Sequence, residues 1–579
     1  MTDGINLSIL VSFSEVFEEP PQSLSIYLTG ISRSKLLNAS AFFLGFSNHD
    51  SEFDDYKQFL SMFFRQENSQ IANEIFLKLN RLQEKAQSEL VIVNPLTILQ
   101  LFEFCFENLT DEESQTETEV EINIFKAILL LNEQNISKQN IALTSSKVAP
   151  ENLKLAALSF SQTFPYSELI NYDSSEVLNG QMIKSVFLFE FLQSNPKTNV
   201  LLISFLKHFD CPDWQYFLKS IFPLSFAVVQ TKQEAHVDIV IEKGEKFDIT
   251  CEFLEKLSVT DTEELDDYDF SKIRSKPFYK VSDGVYRIIN GLFVMEMIHK
   301  GIFFKLAEIN NNLPEENKIK NFRSFYCDEF SEKYLLYKLL NSIYKNRYIE
   351  YSGEKIKELG VTAEPDYYIR NGNHLFLFES KDILINSSIK SSYDYSLYEP
   401  EFKKKLYFEI KDDKIQKKAV LQLINNIEAI LTRKLEFDTN YKATSIHIYP
   451  LLILHDRQFN VAGLNLIVNS WFQEELQKLK GKGIFIDKVK PITIIDIDTL
   501  LFHQDIFRNR ILKLNQILDD YFKFITFDQN RKYNNEDHVR KYAKRTVVSF
   551  SLFLSNYTSD RKIWKAPKMI LDKGASLFD

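Results

Sequence analysis

The sequence predicts an α/β chain, α+β overall, in which a mixed sheet flanked by helices follows a mostly α-helical first half. Many segments of the first half carry apolar side chains at i, i+3 and i+4, the spacing of one buried helix face. Beyond about residue 270, short apolar runs alternate with amphipathic helices, a pattern typical of a sheet covered by helices. We therefore expect a helical domain at 1–260, a sheet domain at 270–530 and a basic C-terminal extension at 531–579.

The predicted first domain carries no phosphate-binding loop, zinc-protease motif or nucleophile signature. The acidic segment 260–270, closed by Pro277, is the best linker to the second domain. Target recognition, inhibition of the second domain, dimerisation and partner binding all stay open for the helical half. A protein partner or homo-oligomer formed through it is one expectation.

The second half begins with a predicted hairpin around Asp283-Gly284 and a helix at 327–346. A strand follows at 366–370, then Asn371-Gly372 as a type I′ turn, then an apolar strand at 374–385. Later elements are predicted by their periodicity: a helix at 414–431, a buried strand at 445–456, a helix at 464–483 with a glycine exit, and a strand at 490–502 that runs into a helix.

The most informative motif lies on this predicted hairpin. Pro365-Asp366 is followed, after twelve residues, by Glu379-Ser380-Lys381. Glu379 and Lys381 point to the same face of a strand, about 7 Å apart. Carboxylates are the ligands that hard cations such as Mg²⁺ prefer, and the metal activates water and polarises a phosphoryl oxygen. A lysine beside them stabilises negative charge on the water or phosphate. The alternative is an amphipathic strand with a surface Glu–Lys pair, a common and weak interaction.

These residues resemble the signature of the PD-(D/E)XK nuclease superfamily, which has the restriction-endonuclease-like fold. The resemblance implies a mixed sheet with the active hairpin at its centre and Mg²⁺ or Mn²⁺ as cofactor. Asp366 and Glu379 would bind the metal, and Lys381 would position and activate the attacking water. Two further residues are implied, a glutamate on the upstream helix and a glutamine or lysine on the downstream helix.

The upstream glutamate is best matched by Glu332, which would be the third metal ligand, with Glu329 as the fallback. The two are three residues apart and would share a face of an α-helix. Gln422 matches the downstream glutamine, with Lys418 one turn before it. For each of these residues, a solvated helix face is the alternative.

The predicted function is a metal-dependent nuclease that hydrolyses phosphodiester bonds, with DNA favoured over RNA because most of the superfamily cuts DNA. A single nuclease domain on a long helical arm also resembles effectors of bacterial anti-phage and restriction systems. The alternative is a nuclease fold with little or no catalysis that acts as a nucleic-acid- or protein-binding module.

Composition sets further bounds on the 579-residue chain, which has a net charge of −11. Acidic stretches lie in the first half, whereas basic clusters lie at 403–405, 411–418 and 531–545. Local positive surface is what phosphate binding requires. In the last cluster, Tyr533 and Tyr542 are suited to stack bases, although a solvated helix is the alternative.

Smaller observations bear on the cellular location of the protein and on whether it has a second metal site. Four widely spaced cysteines argue against a zinc knuckle or disulfide framework. Acids near the N-terminus and short apolar runs predict a cytoplasmic protein with no membrane association. Asp456, Asp496 and Asp498, at the ends of buried strands, are predicted to cap the following turn or helix rather than bind a second metal.

Overall fold

The computed structural model of the chain describes residues 9–46, 55–86, 88–170, 172–230, 236–260, 265, 269–345, 347–360, 364–435, 437–526 and 535–578. It is about 62% helical with 10% strand, and its strands form both mixed and antiparallel sheets. The prediction of an α+β protein is therefore confirmed at the level of fold class.

The strands of the described residues are β1 (Ile9–Leu10), β2 (Leu90–Val91), β3 (Asp238–Val240), β4 (Phe278–Ser282), β5 (Val285–Ile288), β6 (Ile349–Ser352), β7 (Tyr367–Asn371), β8 (His374–Lys381), β9 (Phe408–Lys411), β10 (Lys414–Lys417), β11 (His447–Leu454) and β12 (Thr493–Asp496). The α-helices up to the first sheet hairpin are Phe13–Val16, Leu24–Leu28, Arg33–Phe46, Tyr56–Phe63, Ser69–Ala86, Pro95–Asn108, Glu117–Ser145, Lys154–Thr163, Ser167–Ile170, Ser174–Ser194, Asn199–His208, Trp214–Gln230, Phe247–Glu255 and Ser271–Ser275. The later α-helices are Gly291–Glu296, Ile302–Asn312, Phe322–Phe325, Tyr337–Tyr344, Gly353–Glu358, Ser387–Lys390, Tyr395–Leu406, Ala419–Leu431, Leu464–Gly481, Ile497–Arg508, Leu514–Ile525, Glu536–Arg545, Phe550–Asp560 and Lys568–Phe578. Two segments are π-helical, Met297–Gly301 and Tyr326–Leu336. Short 3₁₀ turns lie at Gln66–Asn68, Ser146–Val148, Glu151–Leu153, Pro196–Thr198 and Arg457–Phe459.

A five-stranded mixed sheet forms the centre of the second half, in the order β12-β11-β8-β7-β6. Strand β8 is central, antiparallel to β7 and parallel to β11. The predicted hairpin thus lies in the middle of a mixed sheet, and the predicted strands at 445–456 and 490–502 are its neighbours β11 and β12. The hairpin around Asp283-Gly284 is also present, as β4 and β5, and it pairs with β3 from the first half.

The two faces of this sheet are buried in two different hydrophobic cores. Phe376 and Phe378 of β8 pack into the larger core, which is built mainly from helices of the first half. Leu375 and Leu377 pack into a second core with helices that follow the hairpin. This is the alternation predicted from the sequence, and burial on both faces explains the continuous apolar runs 375–378 of β8 and 450–454 of β11.

These cores extend across the boundaries that the sequence suggested. Phe160, from the first half, stacks edge-on against Phe402 with ring centroids 5.1 Å apart. Beyond residue 531, Phe550 contacts Tyr521 with centroids 5.3 Å apart. The division into three domains stays a prediction. Side chains from the three predicted parts pack against one another.

The turn of the central hairpin differs from the predicted type I′. Asn371 is still paired with His374, so Gly372 and Asn373 are the central residues, and of these only Gly372 has a positive φ, of 58°. Glycine at the first central position is typical of a type II′ turn. The predicted turn residues were therefore wrong by one position.

The helix predicted at 414–431 begins later than expected. Residues 414–417 form β10, which pairs with β9, and the helix begins at Ala419. Asp412 and Asp413 have φ values of 49° and 58°, which produces a type I′ hairpin turn in place of a helical turn. Lys418 consequently precedes the helix, and its Nζ pairs with Glu409 at 3.1 Å.

Two predictions, the acidic linker and the basic cluster with its tyrosines, fall partly outside the described residues. Most of the acidic linker, at 261–264 and 266–268, is not described, and neither is Tyr533. Tyr542 lies on the helix Glu536–Arg545, with the Arg545 guanidinium 4.7 Å from its ring centroid.

Within the described part of the chain, no helix has the length and apolar character needed to cross a membrane. All four cysteines are free thiols.

Candidate active site

The structure brings Asp366, Glu379 and Lys381 together at one end of the central hairpin. Asp366 immediately precedes β7, and the register that pairs Tyr367 with Phe378 leaves Asp366 beside Glu379. The backbone N–H of Ser380 donates to Asp366 Oδ2 at 2.7 Å. Lys381 Nζ donates to Glu379 Oε1 at 2.6 Å. Glu379 is 0% exposed, so the alternative of a surface Glu–Lys pair was wrong.

Glu332 joins this group from the π-helix Tyr326–Leu336. It is half-buried, and Tyr337 Oη donates to its Oε1 at 3.0 Å. Glu329 behaves differently, because it is paired with Lys333 at 2.7 Å and its side chain is exposed. Of the two glutamates, Glu332 is the one that interacts with Asp366 and Glu379, and the expectation that both share a face of the helix stays a prediction.

Burial and mutual repulsion raise the pKa values of all three acids. Burial, with the neighbouring Asp366 carboxylate second, raises the pKa of Glu379 to about 8, although Lys381 opposes the shift. Burial and Asp366 likewise raise the pKa of Glu332 to about 7. Burial also raises the pKa of Asp366, against the effects of Lys381 and the Ser380 N–H. Groups with such strongly shifted pKa values are typical of functional sites.

Lys381 is the only cation in direct contact with this cluster among the described residues. Burial works against its charge, but Glu379, Asp366 and Glu332 outweigh burial and raise the pKa of Lys381. It therefore stays protonated at neutral pH and acts as a fixed positive charge, not as a base.

Gln422 forms no hydrogen bond to this cluster within the described residues. It is half-buried in the first turn of the helix Ala419–Leu431, and its backbone N–H donates to the Lys418 carbonyl. None of the hydrogen bonds of the described chain joins its side chain to Asp366, Glu379 or Lys381. The role implied for Gln422 by the family resemblance stays a prediction.

The close packing of Gly353 fixes the approach to Asp366. Its N–H donates to the Asp366 carbonyl at 2.8 Å. A Cβ at this position would lie 3.1 Å from both the Pro365 carbonyl oxygen and Tyr337 Oη, so one of these neighbours would have to shift by a few tenths of an ångström. Sequence reasoning missed Gly353 and Tyr337. The five-residue spacing from Glu332 to Tyr337 signals contact only once the helix is known to be π.

The carboxylate oxygens of this cluster are of the type that a hard divalent cation prefers. The Oε2 atom of Glu379 is buried and accepts no hydrogen bond from the described residues. An orphaned carboxylate oxygen is costly, and a cation is a natural partner for it. In the described conformation, however, no three His, Cys, Asp or Glu side chains converge closely enough to hold a metal ion. Asp366, Glu379 and Glu332 are the residues that would hold one.

The strand-end aspartates have structural partners, as predicted for caps. Asp456 Oδ1 accepts from the Gln458 N–H at 3.1 Å, and Asp496 Oδ1 accepts from the Asp498 N–H at 3.2 Å. Asp498 itself forms a buried ion pair with Lys184 at 2.7 Å. Asp496 is thus the N-cap of the helix Ile497–Arg508, and the capping role predicted for Asp498 was wrong because Asp498 lies inside the first turn and pairs with Lys184.

Comparison of the chain with protein-family models, curated proteins and solved structures found no match.

Proposed function

We propose that the chain is a metal-dependent nuclease of PD-(D/E)XK type, with DNA as the preferred substrate. The observation that carries the proposal is Glu379, a fully buried carboxylate in the central strand with one oxygen unpartnered. It lies between Asp366, which contributes to its raised pKa, and Lys381, which donates to its other oxygen. Burying several ionisable groups together costs stability, and such clusters are frequent at functional sites, which supports a role in binding or catalysis.

Mg²⁺ or Mn²⁺ held by Asp366, Glu379 and Glu332 would polarise the phosphoryl oxygen and lower the pKa of a bound water. Since the two glutamates are partly protonated at neutral pH, they must release protons to bind the ion. The Lys381 ammonium would place positive charge beside the pentacoordinate phosphorus of the transition state, where negative charge develops, and would orient the attacking water through its N–H groups. Ser380 N–H keeps the Asp366 carboxylate in place.

The test compares the wild-type protein with Lys381→Ala on labelled single- and double-stranded DNA and on RNA. Each reaction is run with Mg²⁺, with Mn²⁺ and with EDTA. Lys523→Ala is the matched control, because Lys523 is 79% exposed on the helix Leu514–Ile525. Thermal melting of both variants checks that they fold. We expect metal-dependent cleavage of DNA that Lys381→Ala loses and Lys523→Ala keeps.

The outcomes separate two functions. Equal cleavage by all three proteins would identify a contaminating nuclease and refute the assignment. A second candidate, a nuclease fold that binds nucleic acid without cutting it, is favoured by the lack of three converging ligands in the described conformation. Binding of DNA without cleavage under any metal condition would support that candidate. An anti-phage or restriction setting rests on analogy of architecture alone.

A further inference from the structure

A surface of positive charge lies where two neighbouring helices end. The helices are Ile497–Arg508 and Phe550–Asp560. Near their beginnings, Thr499 Oγ1 donates to Ser551 Oγ at 2.7 Å, and further along His503 Nε2 lies 3.3 Å from Thr558 Oγ1. The two helices therefore run parallel, and their C-termini lie at the same end.

The segment after the second helix packs along the first helix. The Trp564 Nε1–H donates to the Phe502 carbonyl at 3.0 Å, and the two rings stack with centroids 4.5 Å apart. The Lys568 N–H donates to Asp505 Oδ2 at 2.6 Å. Residues 505–513 and 560–568 consequently form one continuous surface.

This surface is strongly basic, although the chain as a whole carries a net charge of −11. Residues 505–513 and 560–568 contain seven cations and two acids, Asp505 and Asp560, which leaves a net charge of +5. All seven cations are exposed. We call them the basic surface, and they are Arg508, Arg510, Lys513, Arg561, Lys562, Lys565 and Lys568.

Structural roles account for only a small part of this charge. A helix C-terminus carries about half a negative charge, so the two helix ends offset about one cation. Arg347 already caps the first helix, because its Nη1 donates to the Arg508 carbonyl. The Arg561 guanidinium lies 3.5 Å from the ring centroid of Tyr557. None of the seven cations forms an ion pair with another described residue, so most of the excess charge faces solvent.

The basic surface lies toward the edge of the central sheet that is opposite the carboxylate cluster. Arg347 contacts the end of the first helix and lies two residues before β6. Strand β6 begins level with Leu375, near the start of β8, whereas Glu379 lies near the end of β8. A ligand on the basic surface is therefore distinct from a phosphate at Glu379.

From these features we infer that the basic surface binds the phosphate backbone of a nucleic acid, away from the bond that is cut. Local positive charge concentrates polyanions even on an acidic protein. Lysine and arginine neutralise phosphates whatever the base sequence. Cations spread over two segments suit a repeating anion better than a single phosphate. The inference rests on the proposed function for the class of partner, but it concerns residues outside the carboxylate cluster.

The test measures the binding of labelled single- and double-stranded DNA and of RNA by fluorescence anisotropy, in EDTA and at a series of salt concentrations. One triple variant removes charge from the basic surface and carries Lys513→Gln, Lys565→Gln and Lys568→Gln. The control variant carries Lys154→Gln, Lys256→Gln and Lys280→Gln. Each control lysine already has a carboxylate partner, namely Glu151, Asp210 and Glu255. Both variants lower the net charge by three, from −11 to −14.

The salt dependence of binding counts the phosphates that a protein neutralises. We expect the variant of the basic surface to bind on the order of ten-fold more weakly than the wild type at low salt. The slope of log Kd against the logarithm of the salt concentration should fall by roughly two to three, because three phosphate contacts are lost. The control variant should keep the wild-type slope. Thermal melting checks that both triple variants fold.

The outcomes distinguish this inference from the nuclease proposal. Equal slopes and affinities for the two triple variants would overturn the inference even if Lys381→Ala had lost cleavage. A lower slope for the variant of the basic surface alone would support it even where no metal gives cleavage. If the wild type binds none of the nucleic acids, the basic surface is not a site for a phosphate backbone. Binding to phosphatidylserine vesicles without binding to nucleic acid would assign the surface to a membrane and equally overturn the inference.

Discussion

The buried carboxylate of Glu379 makes a prediction about stability that does not depend on any assay of activity. Glu379→Gln keeps the shape of the side chain but removes its proton equilibrium. In the folded chain, burial raises the pKa of Glu379 from an ordinary 4.5 to about 8. Between these values the folded state holds a proton that the unfolded state has released. The stability of the metal-free wild type must therefore fall as pH rises through this window.

The size of the stability change follows from the pH range between the two pKa values. Each pH unit inside it removes up to 1.36 kcal/mol from the wild type through Glu379, a contribution that the glutamine variant lacks. The variant should therefore gain up to about 3 kcal/mol relative to the wild type between about pH 5 and pH 7. Lys381 Nζ, which donates to Glu379 Oε1, can donate to the glutamine carbonyl instead, so this exchange shifts the difference by a constant and does not affect the slope. Glu332 titrates in both proteins and cancels to first order.

The measurement is urea-induced unfolding of both proteins in EDTA at a series of pH values. A stability difference that stays constant across the series would show that Glu379 titrates normally, and the description of the site would be refuted. In a second series, added Mn²⁺ should raise the unfolding midpoint of the wild type and leave that of Glu379→Gln unchanged. Metal stabilisation of equal size in both would exclude Glu379 as a ligand.

Two further variants test how the site is supported. Gly353→Ala places a methyl group against Pro365 and Tyr337. We expect cleavage to fall ten-fold or more, with a stability loss of about 1–3 kcal/mol from overpacking. Unchanged cleavage would show that the contact is not needed. Asp438→Ala leaves Arg370, 6% exposed, without its partner at 2.5 Å, and should cost about 3–5 kcal/mol in urea unfolding while metal stabilisation persists. A loss near zero would mean that the pair contributes nothing.

Much of the second half was predictable because its signals are local. The alternation that assigns Leu375 and Phe376 to opposite faces depends only on the geometry of a strand. The strands β11 and β12 were visible as apolar runs ended by turn residues. The errors were local too: the turn at Gly372 moved by one residue, and two aspartates with positive φ replaced the first turn of a predicted helix. Short elements of this kind are decided by competing conformations of similar energy.

The sequence by itself determined the class of fold, the central hairpin and the residues Asp366, Glu379 and Lys381, because each follows from periodicity or from spacing along one short segment. Tertiary structure alone decided that Glu379 is fully buried, since burial depends on cores assembled from both halves of the chain. It also decided which helix glutamate faces the cluster, through a π-helical turn that no residue spacing announces. Gln181 and His455, more than two hundred residues apart in the sequence, line the same cleft at the end of β8. Only the folded chain brings such segments together.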